Sequence, residues 1–371
     1  MLIVGGGVIG LLSAWELAAS GCRVTVLEQG RAARESSWAG GGILSPLHPW
    51  RYPEAVTALA QWGQTRFRSV CATLAAATGI DPEWTAGGMW VLDPEDSAAA
   101  LAWAKTWGYR IELQETDRFV VGALAPPSRA ALWLPDTAQL RPPRFGKALR
   151  AYLPELGVAC REHIRVTALR AEAGRVVGVS TTQGDFDADQ VVLAAGAWSG
   201  DLARSLGLEL GVRPVQGQML LYRASPDLLD AIVLKDARYL IPRRDGRILI
   251  GSTLDECGFA KETTLAGREA LHQAAVDLLP ALAEVPIEHH WAGLRPGQSG
   301  SVPWIGAHPR MHGLWVNTGH FRNGLVLSLA SARLLADRML GREPILAPAA
   351  YAWRDEAHGP VNPGARIASR G

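Results

Sequence analysis

The chain has 371 residues, and its 37 lysines and arginines nearly cancel 36 aspartates and glutamates, leaving a formal net charge of +1. So even a balance supplies no field to draw the protein onto nucleic acid or an anionic membrane, and it argues for a small-molecule partner. No apolar run approaches the roughly 18 to 20 residues of a spanning helix, and the cysteines Cys22, Cys71, Cys160 and Cys257 lack the spacing of a zinc site or a disulfide framework.

Those cysteines are expected to be small buried hydrophobes. A strand opens the sequence with no room for a leader, so the expected location is the cytoplasm. Leu2 to Val4 reads as a short buried strand, and Val8 to Ser20, with Leu11, Leu12, Trp15 and Leu17, as a helix with a broad apolar face that Gly21 stops. "CRVTVLEQG" is a β-branched run that ends in an acid, so the opening segment predicts strand, turn, helix, strand: a βαβ unit. Tyr52 to Ala77 is alanine-rich and helical, while "GGMWVLDPED" and "ALAPPSRAALWLPDTAQLRPPRFGKAL" mix short strands with proline-marked loops.

From Ile164 to Ser199, short alternating runs separated by glycine turns predict a small antiparallel meander that returns to a buried strand at Val191 to Ala194. In "RYLIPRRDGRILIGST", Asp245-Gly246 between two strand-like runs predicts a two-residue hairpin turn and puts Tyr239 on a sheet. Leu271, Ala275, Leu278, Leu279 and Leu282 fall on one helical face. "GLWVNTGHFRNGLVLSLASARLLADRMLG" predicts a strand, a glycine loop and a long helix ended by Gly341, with residues 346–371 as a partly disordered tail. "IEHHW" invites a metal reading, but adjacent histidines point in different directions on a strand or a helix, so no metal site is expected.

Gly5, Gly7 and Gly10 match G-x-G-x-x-G, where the glycines serve a tight turn, close approach of backbone to a pyrophosphate, and close packing of helix on strand. The helix that starts there, at Val8 and Ile9, offers unpaired N–H groups and the positive end of its dipole. Glu28 and Gln29 close the second strand, where an acid can accept hydrogen bonds from ribose hydroxyls, and an acid there disfavours the 2′-phosphate of NADP. A simple dehydrogenase would continue with regular alternation. Here "ESSWAGGGILSP" follows, and Ser36, Ser37 and Gly40 to Gly42 make a second small-residue loop suited to a cofactor with a long body, FAD rather than NAD.

At this point the chain resembles the FAD-dependent D-amino-acid oxidase and sarcosine oxidase family, most closely the bacterial glycine oxidases of thiamine biosynthesis. The resemblance is carried by "VGGGVIG", "VLEQG", "SSWAGGGILSP", "VVLAAGAWS", "RPVQGQM", "YLIPRRDGRILIGSTLDECGF", "WAGLRPGQ", "VPWIG" and "NTGHFRNGLVLSLASARLLADRMLG", in order over nearly the whole chain. It implies an α/β (α+β) protein with a Rossmann-like FAD-binding domain of glutathione-reductase type over residues 1–84, 137–208 and 307–345. A substrate domain on a mixed sheet would take 85–136 and 209–306.

By the same resemblance, Gly5, Gly7, Gly10 and Glu28 hold the adenosine half of FAD, with Val166, Ala195, Gly196 and Trp198. Ser37, Gly41, Gly42 and Ile43 line the pyrophosphate and flavin, Ile43 standing where a larger apolar residue is usual. His320, Phe321, Arg322, Asn323, Gly324 and Leu325 run along the flavin, where the start of the last helix would favour the anion that forms on reduction. Tyr239 and Arg295 match the family's carboxylate-binding pair, a phenol donor beside a bidentate guanidinium, and Tyr239, Arg295 and Arg322 are the expected catalytic residues. Gly300 and Ser301 stand where relatives usually have an Asp-Gly pair, and no cysteine lies where the monomeric sarcosine oxidases tether their flavin, so FAD is expected to be noncovalent.

The implied reaction is oxidation of glycine, sarcosine or a small D-amino acid to an imine, with molecular oxygen as acceptor, in a homo-oligomer (tetramer or dimer). It needs positioning and charge stabilisation more than an acid or base. Three other readings compete. The first is a D-amino-acid or N-alkyl-amino-acid oxidase or dehydrogenase with a different electron acceptor, which only pocket volume would separate. The same flavin domain occurs in an enzyme that modifies the wobble uridine of tRNA, but this chain has no basic stripe and no methyltransferase domain. A non-catalytic dinucleotide sensor would not need Tyr239, Arg295 and the flavin loop together.

Overall fold

A computed structural model describes residues 1–115, 124–125 and 130–353. Two large sheets organise it. The first, of six strands, has the order Trp304–Ala307, Leu314–Thr318, Val191–Leu193, Leu2–Val4, Thr25–Leu27, Ala159–Arg161, all parallel except the outermost pair Trp304–Ala307 with Leu314–Thr318. Its strands are short and apolar on both sides, as a parallel sheet covered on two faces requires. Alternation sorts them: Ile3, Val26, Val192 and Ile305 pack on helices Val8–Ala18, Glu54–Thr78, Pro142–Tyr152 and Gly324–Met339. Leu2, Val4, Leu27, Val191, Leu193 and Val316 face the other way, onto Val166, Leu169, Val176 and Val179 of an antiparallel three-stranded meander, Val166–Glu172, Arg175–Thr181 and Gly184–Asp187.

The second sheet has eight strands in the order Ile287–Gly297, Arg213–Arg223, Arg247–Gly251, Arg238–Pro242, Ile232–Lys235, Met89–Leu92, Ala130–Leu134, Glu112–Glu115. It is mixed, because Ile232–Lys235 and Met89–Leu92 pair in parallel while the other neighbours are antiparallel. One face packs Leu220, Tyr222, Leu240 and Ile250 on Leu271, Ala275, Leu278, Leu279 and Leu282, the apolar set predicted from periodicity. Those five residues belong to helix Leu265–Leu278 and the turn that follows it. The opposite face carries Met219, Tyr239, Ile241 and Leu249. The expected boundary at 306/307 falls inside strand Trp304–Ala307, which is hydrogen-bonded in the first sheet.

Two expectations need correction. The hairpin at Asp245-Gly246 is not a two-residue turn: Arg243 N–H donates to the Arg247 carbonyl at 2.8 Å and Gly246 N–H to the Arg243 carbonyl at 2.9 Å. Only Gly246 is left-handed there, at φ 81°, which is the longer loop ended by a glycine. Of the cysteines, only Cys71 is buried; Cys22 and Cys160 are half-buried and Cys257 is exposed. The first residues of the expected tail are packed: Tyr351 is 2 % exposed and donates its hydroxyl to the Ala55 carbonyl at 2.8 Å, and Trp353 meets His308 edge-on. The remainder of that tail, from 354, lies outside the described residues. Among the described residues no helix is long and apolar enough to cross a membrane.

Candidate active site

Between the two sheets runs a cavity of about 440 Å³. One end is made by the glycine loop. Gly5 sits at φ 109°, and a Cβ there would lie 2.4 Å from the Ala194 carbonyl oxygen, so only glycine lets the turn pass this close to the neighbouring strand. Helix Val8–Ala18 begins with no side-chain cap, leaving its first-turn N–H groups for another acceptor. Val8 N–H donates to Ser37 Oγ at 2.8 Å, which ties the glycine loop to the serine-glycine loop after it.

Glu28, directly after strand Thr25–Leu27, lines the cavity and also holds the loop itself. Gly6 N–H donates to its Oε2 at 2.8 Å and Gly30 N–H to its Oε1 at 2.9 Å. Burial pushes its pKa up despite these two donors. Glu28 therefore clamps the loop first, and its remaining lone pairs are what a ribose hydroxyl can use. Val166 and Gln29 line the cavity beside it, with Arg165, Thr167 and Thr182.

Ser36, Gly41, Gly42 and Ile43 line the middle, with Ala195, Gly196 and Trp198 opposite. A Cβ on Gly42, at φ 88°, would sit 2.0 Å from the Leu140 carbonyl oxygen. From the far side come His320, Phe321, Arg322, Asn323, Gly324 and Leu325, which open helix Gly324–Met339, again without a side-chain cap. Buried His320 has Nε2 3.0 Å from Ser331 Oγ, and burial lowers its pKa to about 3, so it is neutral near pH 7. Asn317 also lines the cavity; its Nδ2 donates to Ser13 Oγ at 3.1 Å while its buried Oδ1 has no partner, an acceptor that a sugar or ribityl hydroxyl would satisfy.

The other end is built across strands. Tyr239 is opposite Gly251, Gly251 opposite Met219, and Met219 opposite Trp291, so these residues share one face of the sheet, and Tyr239 is the member of the row that lines the cavity. A Cβ on Gly251 would lie 2.7 Å from the Tyr239 ring and hydroxyl, and glycine at that position gives the ring its room. Arg295, opposite Val215, folds its guanidinium over Gly217, where a Cβ would be 2.0 Å from Nη2. Its Nη2 donates to Ser252 Oγ at 2.6 Å, and Nη1 to the carbonyls of Gln216 at 3.1 Å and Thr253 at 3.3 Å. Burial lowers the Arg295 pKa, the neighbouring Tyr239 favours its charged form and Arg322 opposes it. No carboxylate forms an ion pair with Arg295 or Arg322 among the described residues, so two cations meet at this end and an anion is the missing partner.

Every expected site residue therefore lines this one cavity except Gly10, which lies beneath it. A Cβ on Gly10 would be 1.9 Å from the Gly5 carbonyl, so its part is helix-on-strand packing. Sequence reasoning missed Gln216, Gly217, Ser252 and Thr253, which seat Arg295, and Asn317. Gly217 and Gly251, glycines inside strands, were the available signal, since such residues mark close approach. His289 and His290 diverge: His289 is exposed while His290 Nε2 is 3.0 Å from Gln218 Oε1.

The fit to FAD is a fit of donors and space: two uncapped helix starts, glycines no side chain can replace, an orphaned acceptor and a cationic far end. Known proteins agree with it. The family model described as FAD dependent oxidoreductase matches residues 1–338. A glycine oxidase of Pseudomonas putida is 50% identical over 355 residues, 95% of this chain and 97% of that protein. The bifunctional protein ThiO/ThiG of Synechocystis is 32% identical over 92% of this chain and 52% of its own length. The crystal structure of glycine oxidase from Geobacillus kaustophilus superposes with a TM-score of 0.88 at 29% identity, covering 95% of this chain and 97% of that one. The chain belongs to the family of FAD-dependent oxidoreductases.

Proposed function

We propose that this protein oxidises glycine, and with lower preference sarcosine and small D-amino acids, at a noncovalently held FAD that molecular oxygen reoxidises to give hydrogen peroxide; the imine is hydrolysed to the 2-oxo acid and the free amine, glyoxylate and ammonia in the case of glycine. The observation that carries this reading is the pair Tyr239 and Arg295 at the far end of the cavity from the dinucleotide loop. A guanidinium fork and a phenol are the donor set for one carboxylate. Bound FAD supplies the hydride acceptor. The chain's own residues do the rest. Arg295 and Tyr239 fix the carboxylate, and with it the α-carbon; Arg322 adds a second positive charge; Ile43, Leu47 and Pro142 wall the space and keep water away. No general base is required if the amine enters neutral.

Glu28 and Gln29, Ser36 and Ser37, Asn317 and the helix starts at Val8 and Gly324 would hold the cofactor. A supply of imine to thiamine thiazole synthesis fits the likeness to a protein named ThiO/ThiG. As a homo-oligomer the protein would elute at two or four times the chain mass in light scattering. The substrate reading is tested by incubating the purified holoenzyme in air with glycine, sarcosine, D-alanine and D-proline and measuring peroxide and ammonia. Glycine is expected to lead; rapid peroxide from D-proline with little from glycine would overturn the choice of substrate and favour a D-amino-acid oxidase.

A further inference from the structure

Arg243 is a buried cation that neither the dinucleotide loop nor the carboxylate pair uses. It forms no ion pair among the described residues; Glu83 and Asp245, the nearest acids, are both taken by Arg141, at 3.3 and 2.8 Å. Instead its guanidinium holds three oxygens: Nη1 donates to Gln139 Oε1 at 2.7 Å and to the Leu140 carbonyl at 3.1 Å, and Nη2 to the Gly41 carbonyl at 2.6 Å. Gln139 is itself aimed, since its Nε2 donates to the Pro242 carbonyl at 2.8 Å. Burial and repulsion by Arg141 lower the Arg243 pKa to about 10, so the group stays charged near pH 7. A buried guanidinium without an ion-pair partner is costly, so a reason for keeping one here is to be sought in what it holds.

We propose that Arg243 is a positioning residue for the flavin loop, acting through the Gly41–Gly42 peptide. Both glycines line the cavity. Their peptide bond is trans, so its C=O and N–H point in opposite directions. With the carbonyl drawn to Arg243, the Gly42 N–H is turned to the other side, and among the described residues it donates to no protein group. Leu140 N–H holds the Gly42 carbonyl at 3.0 Å, which fixes the next peptide as well. Arg243 thus sets one main-chain donor toward the bound cofactor. The inference rests on FAD as ligand and not on the choice of amine, so its failure would leave the glycine reading standing.

The test uses Arg243→Met, Arg243→Lys and Gln139→Met, each made as apoprotein and titrated with FAD. For Arg243→Met the Kd for FAD is expected to rise about tenfold, more than any lowering of the apoprotein's melting temperature accounts for, and the visible circular dichroism of the bound flavin to change. Lys, a point charge that cannot bridge three oxygens, falls between, and Gln139→Met gives the same spectral change with a smaller loss of affinity. Unchanged Kd and flavin dichroism in the variants that fold, or a loss of affinity that only tracks a lowered melting temperature, would make Arg243 a structural residue and overturn the proposal. Should Arg243→Met not fold, the other two decide on the same criteria.

Discussion

At the adenosine end of the cavity the polar groups offered to a ligand are mostly main-chain N–H donors, set by Gly5, Gly7 and the start of helix Val8–Ala18 and clamped by Glu28. At the reacting end they are side chains, Tyr239, Arg295 and Arg322, brought in from separate strands and from the start of helix Gly324–Met339. The first end comes from a short contiguous stretch. The second exists only when the eight-stranded sheet has formed in register, with Gly217 and Gly251 leaving room for the groups that lie across them. Affinity for the dinucleotide and selection of the amine are therefore separable, and substitutions at the two ends should fail in different ways.

The largest effect is expected for Gly5→Ala. Its Cβ would be forced against the Ala194 carbonyl, so FAD binding to the apoprotein should weaken more than ~100-fold. Next, Arg295→Ala should keep bound flavin and raise KM for glycine about 100-fold, the loss of a charge-assisted fork, measured by steady-state peroxide formation. Gly217→Ala probes the same end without touching the arginine: its Cβ displaces the guanidinium, and KM should rise about tenfold with FAD retained. A loss of FAD in either variant would mean that the two ends are not independent. Tyr239→Phe removes one neutral donor and should cost roughly 3- to 10-fold in KM.

How much of this was legible in the sequence follows the same division. The glycine spacing, the helix after it and the acid at the end of the next strand are local, and the expected βαβ unit is what the chain forms. Glu28 is legible as an acceptor after the second strand, but the main-chain donors Gly6 and Gly30 are not, because they reach it only when the loop closes. Nothing local marks Gln216, Ser252 and Thr253 as the seat of Arg295, since they meet it only through strand pairing. Tyr239 and Arg295 themselves came from resemblance; composition and periodicity would have left them as one tyrosine and one arginine among several. Cys257 was misjudged because cysteine's usual burial is a tendency of the residue type, and this one lies in an exposed segment.

The smallest effect concerns the scaffold both ends share. His48 and His320 have pKa values lowered to about 4 and about 3 by burial, from an ordinary 6.5. The unfolded chain therefore takes up protons first, and the stability these groups contribute is present above about 6.5 and is lost as pH falls toward those lower values. Between pH 7 and 5.5 the loss should be about 1 kcal/mol per histidine, seen as a falling melting temperature of the apoprotein. His320→Asn should flatten that slope and leave the amine preference in place.

The most direct measurement is an anaerobic titration of the holoenzyme with glycine, following the visible flavin band, for the wild type and Arg295→Ala side by side. The expected result is full bleaching of the wild type at a glycine concentration about 100-fold below that needed by the variant, with the starting spectra alike. Bleaching of both at the same concentration, or none in the wild type, would contradict an amine held by Arg295 at the far end of this cavity.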